Sequence, residues 1–193
     1  MKEKYTIPLT KMSVKAWPGR TDSQGLVGAL MVSLAMIGLL QFGERLDTLL
    51  FGGLFPVSGR VIAHTMIGLG TALYGGVGGF IVSEINPLIA TATGTSPIAP
   101  FWLITNGSQV IAMLLAGRIT KDVISWKNCI LYAVFCTIFM IVLYIPLHVF
   151  YFKMPWSKLI PMYSFQAAVA LPSAAILVRA LLQVVKNAGF VRE

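Results

Sequence analysis

Long apolar runs, with Lys, Arg, Asp and Glu pushed into the gaps between them, limit what this chain can become. In hydrocarbon every backbone N–H and C=O must find a partner within the protein, so such runs cross a membrane as helices. Each crossing takes about 20 residues. Of the 193 residues, 56% are hydrophobic and 11% charged, about half the charged share of a soluble domain. The expectation is an all-α integral membrane protein, a compact bundle of six transmembrane helices, two of them short.

The pattern divides the chain into a basic leader (1–24), a membrane domain (25–185) and a tail (186–193). The first apolar run begins near Leu26 behind a polar leader and lacks a small-residue cleavage site, so it reads as a retained helix and not a secretory signal. Expected spans are 26–42, 60–73, 77–89, 101–116, 129–150 and 161–185. Between the first two, GERLDTLLFGGLFPVSG reads as an outer loop, partly re-entrant. The apolar stretch from Val61 to Ala92 could be one long helix or two short ones, because Gly75, Gly76, Gly78 and Gly79 interrupt it.

Charge placement favours two. With a glycine turn there, eleven of the fifteen basic residues, including Arg118, Lys121, Lys127, Arg179 and Lys186, fall on the side of the leader. With a single helix only about seven do. The same rule places both termini in the cytoplasm, and the setting expected is the plasma membrane of a prokaryote. The net charge of +8 therefore reads as a topology signal. Nucleic acid is not expected as a partner, because the basic residues flank apolar runs and form no patch with interleaved aromatics.

No P-loop, HExxH or GxSxG pattern occurs, and the two histidines stand 84 positions apart. Neither catalytic residues, a metal nor a cofactor is expected, and any ATP would be used by partner chains. Cys129 and Cys136, two turns apart in one run, read as small apolar packing. What remains is a set of polar residues at membrane depth, which suggests a pathway or a binding site. Glu84 is the acid within a span, either a counter-charge for a ligand or a helix-end carboxylate reaching water. Asn86 precedes Pro87, as at many helix ends, and Asn106 and Gln109 share a face. Tyr144, His148 and Tyr151 recur at spacings of four and three, while Tyr163 and Gln166 open the last span. His64 reads as a packed histidine, and Arg179 as a snorkelling one. Gly25, Ala29 and Ser33 recur every fourth residue, a stripe suited to close helix approach.

From Ala72 to Gly107 the text ALYGGVGGFIVSEINPLIATATGTSPIAPFWLITNG, set in a small-residue helix, a glycine turn and a proline-bearing polar loop, resembles the substrate-binding S components of energy-coupling factor (ECF) vitamin transporters. The resemblance implies capture of a vitamin-like molecule from outside, with energy from a transmembrane T subunit and two ATPases. It implies a pocket drawn from Glu84, Asn86, Thr95, Trp102, Asn106, Tyr144, His148, Tyr163 and Gln166, with 86–100 as its lid. It also implies that Gly25, Ala29 and Ser33 meet the T subunit. Rival readings are a stand-alone ion-coupled carrier using Glu84 and His148, a lipid-acting enzyme with His148 as base, and a purely structural subunit.

Overall fold

A computed structural model describes residues 7–8, 17–51, 57–94, 99–189 and 191–192. Five helices among them are long and apolar enough to cross a membrane. They are α1 (Ser23–Phe51), α2 (Val57–Ala92), α3 (Ala99–Thr120), α4 (Trp126–Tyr151) and α5 (Trp156–Asn187). Two-residue strands, β1 (Ile7–Pro8) and β2 (Val191–Arg192), pair in parallel and bring the two chain ends together.

The second helix is not straight. Gly75 has φ 78° and ψ −162°, a combination open to glycine and costly for other residues. The chain reverses there. A Cβ added to Gly70 would lie 2.6 Å from Val82, and one on Gly79 would lie 2.4 Å from Thr71. In a straight helix those pairs would be about 18 and 12 Å apart along the axis. The arms 57–74 and 76–92 therefore form an antiparallel hairpin, held close because glycine faces the opposing side chain at both contacts.

The leader closes this turn. Arg20 N donates to Tyr74 O and Val77 N donates to Pro18 O, each at 2.9 Å, so backbone groups that a broken helix would leave unpaired are satisfied. The Trp17 ring lies over Gly76 and meets Phe80 edge-on. The hairpin is also the centre of the bundle: 78% of its most apolar window is buried, against 22% for α4. Met31, Leu34, Phe42, Ile130, Ile141, Ile176 and other large apolar side chains of the surrounding helices point outward, as lipid-facing positions do.

The main core lies toward the end of the bundle that carries the leader, where Ala72, Ala116, Val123, Cys129, Cys136, Val178 and Leu182 pack together. A smaller cluster of Met140, Tyr144, Leu159 and Tyr163 lies toward the far end. Between the two, Tyr132 of α4 donates from its hydroxyl to His64 O at 2.7 Å.

Several expectations are corrected. The first helix does not stop at Phe42: α1 continues to Phe51, since 44–51 contains neither Gly nor Pro, and what read as loop is largely helix. Its buried Asp47 accepts from Ser58 N and Gly59 N at 2.9 and 3.1 Å, capping α2 from outside. Asn86 does not end a helix either, because α2 runs through Pro87 to Ala92. The connection to α3 is thereby reduced to 93–98. Thr95 and most of that connection lie outside the described residues, and the 86–100 lid is mostly helix where it is described. The Gly25, Ala29 and Ser33 stripe is already covered, since Ala29 and Ser33 are 0% exposed and Ala29 packs beside Gly78 of the hairpin. Small residues allow close approach to any helix, and the hairpin took that face.

Candidate functional site

A cavity of about 190 Å³ opens at the far end, among α1, both arms of α2, and α3. Met36, Leu40 and Ala63 form its apolar wall; Glu44, Arg60, His64, Asn86, Trp102, Thr105, Asn106 and Gln109 supply the polar side. Helical periodicity puts them there. Met36, Leu40 and Glu44 are successive turns of α1, Arg60 and His64 successive turns of α2, and Trp102, Thr105, Asn106 and Gln109 one face of α3. The Asp47 cap sets where α2 begins and so positions Arg60.

Asn106 Nδ2 donates to Ser83 O of the second arm at 3.1 Å, which holds that amide in place and leaves its oxygen to accept. His64 sits in the cavity wall, and Gln166 Nε2 lies 3.1 Å from its Nε2. An amide nitrogen can only donate, so His64 accepts at Nε2 and carries its proton on Nδ1. Gln109 is the neighbour on that side of the ring, although neither His64 Nδ1 nor Gln109 Oε1 meets a partner at close hydrogen-bond geometry. Loosely paired buried groups are rare in packed cores, and these two stand on the wall of a polar cavity.

A second group adjoins it. Tyr144 donates to Thr105 O and contacts Ser108 Oγ at 3.1 Å. His148 Nδ1 lies 2.8 Å from Tyr144 O and 2.9 Å from Tyr163 Oη. A carbonyl only accepts, so Nδ1 donates and the phenol shares that proton. Tyr144, His148 and Gln166 ride on wide turns. Residues Met140–Tyr144 and Gln166–Ala170 are π-helical, each followed within two residues by a proline, Pro146 or Pro172. Proline cannot donate to the preceding turn and crowds it, and the widened turns rotate Tyr144 and Gln166 into the bundle.

Of the residues singled out in the sequence, Asn86, Trp102 and Asn106 line one cavity. Gln166 reaches its floor through His64, and Tyr144, His148 and Tyr163 form the neighbouring network. Glu84 stands apart: Oε1 accepts from Ser83 Oγ at 2.7 Å and Oε2 is buried without a partner, between the second arm and Gly107 of α3. It does not line the cavity. Tyr151 is exposed and packs on Phe101 and Phe152. Arg179, at the leader end, lies 4.4 Å from the Trp126 ring centroid.

Sequence reasoning missed Arg60, Glu44 and Thr105. A signal for Arg60 existed: it is one of the few basic residues that the charge asymmetry leaves on the side away from the leader. Among the described residues no group of three His, Cys, Asp or Glu could hold a metal ion. Compared with protein families, curated proteins and solved structures, the chain matches none.

Proposed function

We propose that this chain is the substrate-capture membrane subunit of an ATP-driven importer for a vitamin-like micronutrient, similar in role to the S component of an ECF transporter. The observation that carries this reading is the cavity at the far end, where Trp102, Asn86 and Asn106 gather on rigid helices. An aromatic face and a few fixed amides are what a small ring-containing ligand requires, whereas chemistry on the substrate would need a nucleophile and base within reach.

In this reading the two arms of α2 each cross the membrane, giving six crossings, with both termini in a prokaryotic cytoplasm and the cavity outside. The ligand enters from outside, binds without being altered, and is moved when a T subunit and two ATPases associate. With the Gly25, Ala29 and Ser33 face covered by the hairpin, the opposite face of α1 is the one left for that association. Glu84 is the observation that favours the stand-alone carrier instead, because a buried carboxylate oxygen without a partner suits a proton carrier. Among the described residues no hydrogen-bond chain joins it to His148.

The test is uptake in proteoliposomes. Transport only when T subunit, ATPases and ATP are added supports the importer reading. Uptake by this chain alone, lost in Glu84→Gln, would replace it with the carrier. Cysteine labelling at Lys153 and Lys121 checks the crossings, with Lys153 expected outside and Lys121 inside.

A further inference from the structure

Among the described residues, the cavity contains a cation, Arg60, that forms no ion pair. Among the described residues the one salt bridge joins Arg20 to Asp22 at the other end of the molecule. Arg60 has no carboxylate within ion-pair distance there, although Glu44 lines the same cavity. Glu44 is exposed, whereas Arg60 is half-buried. Of the titratable groups near it, His64 lines the same cavity. A guanidinium is always charged and presents a planar fork of donors that fits a carboxylate. Held at the edge of an apolar bundle without an anion, it carries a desolvation cost that a ligand's anion would offset.

Size narrows the ligand further. A cavity of about 190 Å³ is smaller than the roughly 300–1,000 Å³ that drug-sized molecules occupy. Arg60, Trp102, Asn86 and Asn106 are all partly exposed and, with the more exposed Glu44 at the rim, are the polar groups an occupant can touch. Met36, Leu40 and Ala63 face them.

We propose that the ligand is a small molecule of one ring bearing a carboxylate, the carboxylate on Arg60 and the ring between Trp102 and the Met36–Leu40 wall. The proposal rests on the capture reading and names its substrate class. Asn86 and Asn106 then meet the polar edge of the ring. Phosphate headgroups of anionic lipid could supply the same charge, and the experiment separates them.

Full-length protein in phosphatidylcholine nanodiscs is titrated calorimetrically with benzoate, nicotinate and cyclohexanecarboxylate, each against its neutral carboxamide. Each carboxylate that binds should do so about ten- to a hundredfold more tightly than its amide, the value of one charge-assisted contact. Arg60→Met should erase that ratio, Arg60→Lys should keep part of it, and Glu44→Gln should tighten carboxylate binding. Equal binding of acid and amide, no carboxylate binding up to ~10 mM, or an unchanged ratio in Arg60→Met overturns the proposal. If the methionine variant does not fold, the acid-to-amide ratio of the wild type and the lysine variant decides. Loss of binding when phosphatidylglycerol replaces part of the phosphatidylcholine assigns Arg60 to lipid and also overturns it. Uptake without partner chains would sink the importer reading and leave the ratio standing; binding of neutral ligands alone would do the reverse.

Discussion

Asn128 and Gln109 are both buried amides on membrane-length helices, one at the leader end and one midway along α3 on the cavity wall, and they are treated differently. Asn128, at the leader end, accepts from Thr120 Oγ1 at 2.9 Å and donates to Val123 O at 3.2 Å, while Ser125 caps its helix. Gln109, on the cavity wall, has His64 beside it but no partner for its oxygen at close hydrogen-bond geometry. An unmatched buried polar group costs about 1–3 kcal/mol, so a purely structural end satisfies its amides. The amide at the leader end is held for stability and the one on the cavity wall keeps polarity for a ligand; the contrast is between these amides, since Arg179 Nε at the leader end is buried without a partner too.

The sharpest way to break this contrast is at the hairpin that joins the two ends. Gly79→Leu would drive a side chain into Thr71 and Val110, and we expect the arms to separate, at a cost of about 3 kcal/mol or more. Loss of a monodisperse peak on size exclusion would show it; a wild-type elution profile and melting temperature would mean the arms do not need that contact. Next in size, Asn128→Leu should destabilise by about 1–3 kcal/mol without altering ligand affinity. Gln109→Leu should leave the melting temperature unchanged or raised and weaken binding. The contrast fails if the two variants behave alike in thermal unfolding and ligand titration.

Tyr132→Phe removes the hydroxyl that holds His64 O from the packed half. A loss of about 0.5–1.5 kcal/mol is expected, read as a lower thermal midpoint, with affinity reduced because the His64 segment lines the cavity. The smallest effect is at the leader. The Arg20 guanidinium hydrogen-bonds the Asp22 carboxyl and holds it below its usual value. A carboxyl depressed in the folded state contributes stability above its unfolded pKa and loses it as pH falls through the lower folded value. The difference in midpoint between wild type and Asp22→Asn should thus be slight at neutral pH, shrink with salt because the pair is exposed, and vanish in acid once the folded-state carboxyl is protonated. A difference that grows on acidification would contradict it.

Much of the fold was legible because its cause is local. Apolar run length gives the helices, and Gly75, Gly76, Gly78 and Gly79 mark the place where α2 folds back. The far end of α1 was misread because ERLDTLLF is polar enough to resemble a loop, yet forms helix when Asp47 can cap α2. Pro87 was read as a stop although a helix continues through it. For the site, Asn106 was legible as a polar residue at membrane depth, whereas Asn86 reads as a helix end and Trp102 enters through the family resemblance. Glu84 was grouped with them as the acid within a span, but its side chain faces Gly107 of α3 and does not line the cavity.

By itself the sequence determined a helical protein with membrane-length apolar segments and a glycine break, since hydrocarbon leaves the backbone no other solution. Tertiary structure alone decided which face each helix turns inward. Helical periodicity says that Gly25, Ala29 and Ser33 share a face, but not which helix will occupy it. Likewise nothing local to Arg60 says that Trp102, Asn86 and Asn106 will be opposite it: those residues are 26 to 46 positions away, and only the reversal at Gly75 brings them together.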